Sequence, residues 1–569
     1  MNSSRVIASA RSGKADLVLK NARIVNVFSG EIIKGNIAVT EGYIAGIGDY
    51  SAPEIRDMDG RFVSPSFIDP HVHIESSLAS VTEFIRAVLP CGTGTVIADP
   101  HEIANVLGTE GIRYMLQAAE GQPARIFFTL PSCVPATDME TSGAKLGAEE
   151  LAPFMADPGI PALAEMMNFP GVVWENPDVL AKIGLAHAHR KPVDGHSPGL
   201  SGFPLNAYLC AGISTDHECT SAAEAAEKLA AGMFIMVREG SAAKNLDDLF
   251  PLINGKNFHR MMWCTDDRHP HDILEQGHID SIVRRAIAKG LDPVMAIQMA
   301  TINPARYFHI RDAGAIAPGY RADLMVFSDL NAPCAEEVWC KGILCAENGE
   351  MLPHVQMPAP VSVPESMNLN PDTVDFSIPA TCKNIRVMEV IPDQLLTRQI
   401  VLPAKIREGM AVSNPEEDIL KIAVVERYTG KAGMGKGFIR GFGLKQGALA
   451  SSVAHDSHNI IVVGTDDADM KTALTEVVRM KGGFAVVSKG TVQASLALPI
   501  AGLMSPEPVR VIRKQMDELI RAARNMGTNL HDPFMTLGFM ALPVIPELKI
   551  TDRGLVDVTK FKIVPLFEE

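Results

Sequence analysis

The sequence predicts an α/β fold: a (β/α)8 TIM-type barrel, a small composite β domain built from both of its flanks, and an additional C-terminal α/β domain. Three observations lead there. Between Arg61 and about residue 305, eight short apolar runs alternate with helix-like stretches, the pattern of a parallel sheet. Most of those runs end in side chains that can bind a metal. The 569 residues also exceed one ordinary domain at roughly 150 residues each, although a barrel alone takes about 250.

The elements follow in order. Residues 1–14 hold Arg5, Arg11 and Lys14 without an apolar stretch and read as a flexible tail, not a signal peptide. From Asp16 to Gly48, β-rich runs separated by Gly30, Gly35 and Gly42 predict a small antiparallel sheet, part of a composite domain of residues 15–62 and 306–352. The barrel takes residues 63–305. Its runs end near His71-Val72-His73, Asp99-Pro100-His101-Glu102, Leu130-Pro131-Ser132, Glu165-Met166-Met167-Asn168, Asp194-Gly195-His196, Asp216-His217-Glu218, Arg238-Glu239-Gly240 and Cys264-Thr265-Asp266-Asp267. Helical stretches such as Ala79 to Leu89, Ile103 to Ala119, Ser221 to Ala231 and His278 to Lys289 lie between them. No GxGxxG or GxxxxGK[ST] loop follows an early strand, which disfavours a nucleotide-cofactor fold. Residues 353–371 form a proline-rich linker, and residues 372–569 a further α/β domain with a helix from Pro508 to Ala523.

Composition narrows the function. The net charge of −15 argues against a nucleic-acid partner and against docking on an anionic membrane. No apolar run approaches the roughly 20 residues of a membrane span. Nine cysteines, an odd number without a CxxC pair, point to free thiols in a reducing, cytoplasmic compartment.

Eleven of the 16 histidines lie between His71 and His278. In a (β/α)8 barrel the C-terminal strand ends converge on one face. His71 and His73, two apart on a strand, point to the same side and can grip one divalent ion. Glu165, His196, His217 and Asp266 arrive at the same mouth from later strands. Six ligands of mixed nitrogen and oxygen type suit two divalent metals that share a bridging carboxylate. His187 and His189 form another HxH but fall before the fifth strand and are set aside. His269, His271 and His278 could line the mouth or bind stray metal, with the surface as the default; His455 and His458 could cap the substrate pocket, with a structural role favoured.

The run Val63-Ser64-Pro65-Ser66-Phe67-Ile68-Asp69-Pro70-His71-Val72-His73 resembles the first-strand signature of the amidohydrolase superfamily, with departures at Ser66 and Pro70. Ala300-Thr301-Ile302-Asn303-Pro304-Ala305 and the segment Gly314 to Leu324 resemble later parts of the same pattern. Many binuclear members place a carboxylated lysine after strand four, where this sequence has Glu165. With Asp99-Pro100-His101-Glu102, Asp194-Gly195-His196-Ser197-Pro198, Asp216-His217-Glu218 and Cys264-Thr265-Asp266-Asp267, the sequence is similar to the bacterial adenine deaminases. Gly441-Phe442-Gly443-Leu444 and His455-Asp456-Ser457-His458-Asn459 extend that likeness over nearly the whole chain.

The resemblance implies hydrolysis of adenine to hypoxanthine and ammonia by a homodimer with two divalent ions per chain, manganese or iron, with zinc also compatible with the ligands. It implies that His71, His73 and Asp266 hold one ion and His196 and His217 the other, with Glu165 bridging. A hydroxide between the ions would attack C6 of adenine, and Asp266 would carry the proton to the leaving amine. Glu102 and Glu218 are candidate proton donors to the ring, weighed against ordinary solvated carboxylates. His101 and Asp267 are candidate substrate contacts. Two alternatives stand beside this reading: another amidohydrolase acting on a different purine, pyrimidine or cyclic amide, and a degenerate amidohydrolase fold serving as a scaffold.

Overall fold

The computed structural model describes residues 3–391 and 394–569. Eight strands form the barrel: β1 (Phe67–Val72), β2 (Thr93–Ala98), β3 (Arg125–Phe128), β4 (Leu163–Met166), β5 (Val193–Gly195), β6 (Thr215–Asp216), β7 (Phe234–Arg238) and β8 (Met261–Cys264). Parallel ladders join β1-β2-β3, β4-β5 and β6-β7-β8. Single parallel bridges join the three groups: Leu130 to Leu163, Val193 to Ile213 and Val72 to Asp266. The ring is therefore closed in chain order. Nearly all of these strand residues are buried on both faces, which explains why they read as continuous apolar runs and not as alternating ones. Ile68, Ile97, Met236 and Met262 meet one another and Phe308 and Ile310 in a cluster that fills the barrel.

The small domain differs from the expected antiparallel sheet. Leu17–Asn26 is one long strand, with a register shift between Leu19 and Ala22. It pairs antiparallel with Glu31–Thr40 but parallel with Glu54–Asp57 and Phe62–Pro65. Phe62–Pro65 then pairs antiparallel with Leu324–Phe327, so the two flanks of the barrel share one sheet. The N-terminal stretch also departs from expectation. Ser3–Ser12 is a helix, because Val6 and Ser9 are buried and Arg5 pairs with Asp16 and Glu41. The predicted helix from Ile103 to Ala119 is two helices, His101–Leu107 and Thr109–Ala119, parted at Gly108, whose φ of +60° favours glycine.

Residues 353–370 carry no regular structure. Beyond them a large sheet orders its strands Thr397–Pro403, Asn384–Val390, Met434–Arg440, Ile419–Val425, Ile460–Gly464, Ala448–Ser451, Gly483–Ser488 and Thr491–Ala497. Helix Asp467–Arg479 covers one face, burying Met470, Ala473, Leu474 and Val477. Helix Val509–Asn525 covers the other through Val509, Ile512, Met516, Leu519 and Ala523, the three-and-four spacing of an amphipathic helix. This second core also takes in Leu78 and Ala79 from the barrel. Ser80 N–H donates to Ser505 O at 2.9 Å and Asn459 Nδ2 to Thr141 O at 2.7 Å, fixing the C-terminal domain over the barrel's C-terminal face. Among the described residues, no helix is long and apolar enough to cross a membrane.

Candidate metal centre and substrate cavity

The bridge that closes the barrel also builds the site. Asp266 N–H donates to His71 O at 3.0 Å and His73 N–H to Asp266 O at 3.2 Å, so the end of β8 is held against the end of β1. Asp266 sits at φ +56°, a turn that aspartate tolerates better than most residues. Its Oδ1 lies 3.4 Å from His71 Nε2 and 3.1 Å from His73 Nε2. Glu165, in β4, faces two groups at once. Its Oε1 is 3.3 Å from His73 Nε2, and its Oε2 is 2.6 Å from His196 Nδ1 and 3.3 Å from His217 Nε2. One carboxylate thus spans two imidazole pairs.

The donor set fits two divalent cations. His71 Nε2 is buried and lacks a hydrogen-bond partner although it points into the cluster. The Nδ1 of His73 lies 3.1 Å from Asp99 O, which leaves Nε2 free to face inward as a ligand. Burial pushes Glu165 towards its neutral form, but His196, His217 and His73 outweigh it and hold the carboxylate well below its usual range. Asp266 is also held low, with burial outweighed by Arg238, His71 and His73. Two ionised carboxylates among four imidazoles suit manganese, iron or zinc alike.

The six residues expected to bind metal converge, and two others join them. His101 Nδ1 is 3.1 Å from Asp99 Oδ2 and 3.6 Å from Glu165 Oε1. Glu218 Oε1 is 3.4 Å from His217 Nε2, and Arg238 grips both oxygens of Glu218. Glu102, whose Oε1 is 3.7 Å from His101 Nε2, and Asp267 both line a cavity of about 690 Å³ between the barrel mouth and the C-terminal domain.

Glu102 is held as a carboxylate by two imidazoles. Burial raises its pKa, but His455 and His458 outweigh burial and hold it well below the usual carboxylate range. Glu75, which the sequence reading passed over, behaves differently. Burial pushes it up to about 7, Ile103 N–H donates to its Oε1 at 3.2 Å, and its Oε2 has no partner. It lines the same cavity. Asp267 accepts a hydrogen bond from Ser76 Oγ.

Arg238 was also missed. Its Nη1 donates to Asp266 Oδ2 at 2.8 Å, so one guanidinium ties together Asp266 and Glu218. It stands at the end of a barrel strand like the ligands, and that position was the signal available in the sequence. His455 and His458, expected to be structural, reach into the cavity and touch Glu102. His278, expected at the surface, is fully buried 3.3 Å from Asp69. His269 and His271 both line the cavity, and His271 is half exposed and pairs with Glu275.

Comparison with known proteins agrees with this architecture. The Amidohydrolase family matches residues 62–345, and the Adenine deaminase C-terminal domain matches residues 394–562. An adenine deaminase of Desulfatibacillum aliphaticivorans is 54% identical over 565 residues, covering 99% of each chain. An adenine deaminase of Methanothrix thermoacetophila is 50% identical, and one of Dehalococcoides mccartyi 48% identical, each over 567 residues and 99% of both chains. With the cluster of potential metal ligands, both family domains and the full-length relatives in agreement, the chain belongs to the adenine deaminase family of the amidohydrolases.

Proposed function

We propose that this chain hydrolyses adenine to hypoxanthine and ammonia at the mouth of its barrel. One observation carries the reading: Glu165 spans two imidazole pairs beside Asp266, in a chain that matches adenine deaminases from end to end. His71, His73 and Asp266 would hold one divalent ion and His196 and His217 the other, with Glu165 shared between them. Bound there, manganese or iron would lower the pKa of water enough to make hydroxide available at neutral pH.

The chain's own groups handle position and protons. Asp266 takes the proton of the attacking water and delivers it to the amine as the C6–N bond breaks, releasing ammonia. Arg238 fixes Asp266 for both transfers by holding its second oxygen. Asp267 borders the cavity from which adenine approaches, and His101 stands behind it beside Glu165. The net charge of −15 favours a free base over a base within a polymer. Nine unpaired cysteines support a cytoplasmic setting, and we assign the active form as a homodimer on family resemblance.

The test is an assay of manganese-loaded protein with adenine, following hypoxanthine and ammonia. Equimolar appearance of both products supports the reading. Turnover of another purine, a pyrimidine or a cyclic amide, with adenine left intact, replaces it.

A further inference from the structure

The C-terminal domain touches the barrel mouth through a pair of histidines. His455 and His458 follow strand Ala448–Ser451, and both rings meet Glu102, at the start of the helix that follows β2. His455 Nδ1 lies 2.7 Å from Glu102 Oε1, and His458 Nε2 contacts Glu102 Oε2. Glu102 and His458 are buried, 3% and 1% exposed. The contact joins residues 353 and 356 positions apart.

Two imidazoles around one carboxylate can be a cation site or a clamp. The hydrogen bonds decide. Ala454 N–H donates to His458 Nδ1 at 3.2 Å, so that nitrogen presents its lone pair and the neutral ring carries its proton on Nε2. A protonated Nε2 has no lone pair for a metal, and a metal-binding histidine would donate from its other nitrogen instead. His458 therefore donates to Glu102. The His455 ring lies flat on Phe539, with centroids 4.4 Å apart and planes 13° from parallel, which fixes the direction of its N–H.

Each carboxylate oxygen can accept two hydrogen bonds, and the clamp uses one on each. The remaining capacity belongs to a group that lines the cavity. Adenine offers N–H donors along its edge, and a carboxylate is their natural acceptor. We propose that the C-terminal domain completes the adenine pocket: His455 and His458 are positioning residues that hold Glu102 as an acceptor for an N–H of the purine. The proposal rests on the reading of the chain as an adenine-hydrolysing enzyme.

The test is a mutant cycle on metal-loaded, full-length protein, with kcat and KM for adenine, metal content and circular dichroism for each variant. E102Q and H458L are each expected to lower kcat/KM by roughly tenfold to a hundredfold, the usual effect of removing a residue that orients a site group. Most of that loss is expected in KM. H458N, which keeps an N–H donor, recovers part of the activity. In an E102Q background, H458L costs little more, because the group it orients has already gone. H455Q, at the partly exposed edge of the cavity, repeats the cycle should H458L fail to fold. Fully additive losses, or an unchanged KM in E102Q, overturn the clamp. So does a wild type that holds one more metal per chain than E102Q, which would make this a third cation site. Wild-type protein that leaves adenine intact overturns the enzymatic reading and the clamp together. Wild-type turnover with additive losses overturns the clamp alone.

Discussion

Asp266 is asked to do two things at once, and its surroundings match both. One oxygen faces His71 and His73, and the other is held by Arg238. Asp266→Asn keeps the shape of the side chain but removes its capacity to take a proton. Turnover should fall roughly a thousandfold or more while the circular dichroism spectrum stays that of the wild type. Substantial activity in this variant would remove Asp266 from the proton path. Arg238→Met should act differently. It leaves the buried Asp266, and the partly buried Glu218 beside it, without their shared cation, which costs roughly 3–5 kcal/mol, readable as a lower urea midpoint. Arg238→Lys, which keeps the charge but not the fork, should fall between the two. The candidate ligands were legible in the sequence because each sits at a strand end with a chemistry that stands out from its apolar run. Arg238 sits in such a place too, but an arginine at a strand end carries no comparable signature. Glu75 was illegible because its meaning comes from burial, which depends on the helix after β2 and the domain above it.

The strands that present the ligands are themselves braced. Lys228 is fully buried, and its Nζ donates to Asp216 at 2.6 Å, Ser197 O at 2.7 Å and Glu224 at 2.7 Å. Ser197 follows His196 and Asp216 precedes His217, so this ammonium ties together the ends of β5 and β6 that carry one imidazole pair. Lys228→Met should destabilise the chain by roughly 3–5 kcal/mol by stranding Asp216. It should also reduce bound metal, measured by elemental analysis of the purified variant.

The loop after β3 gives a second prediction. Burial, with Asp456 adding to it, pushes Glu140 up to about 8 from an ordinary 4.5. The folded chain therefore holds a proton between these values that the unfolded chain releases. The corresponding stability is full below pH 4.5 and is lost as the pH rises to about 8. Glu140→Gln cannot release that proton, so its melting temperature should fall less than the wild type's between pH 5 and pH 8. Equal slopes would show that Glu140 is ionised in the folded state. The sequence pattern revealed the strands of the barrel but not these braces. A lysine in a helix or a glutamate in a loop reads as solvated until the packing is known.

At the scale of the whole molecule, the ring of eight strands follows from the alternation of apolar runs and helices, and its closure places every expected ligand on one face. The chain order of the barrel was therefore readable before any coordinates. The mixed pairing of the small sheet was not, because a strand's direction relative to its neighbours is set by connections and not by its own residues. The long C-terminal region could be recognised as a separate unit, but its contact with Glu102 lies more than three hundred residues away along the chain.

We propose that adenine hydrolysis depends on two metals shared through Glu165. This dependence is tested most directly by stripping the protein with a chelator and titrating manganese back while following ammonia release from adenine. The stripped protein should show negligible activity, and activity should rise until it saturates at two equivalents per chain. Full activity with less than one metal per chain would contradict this dependence.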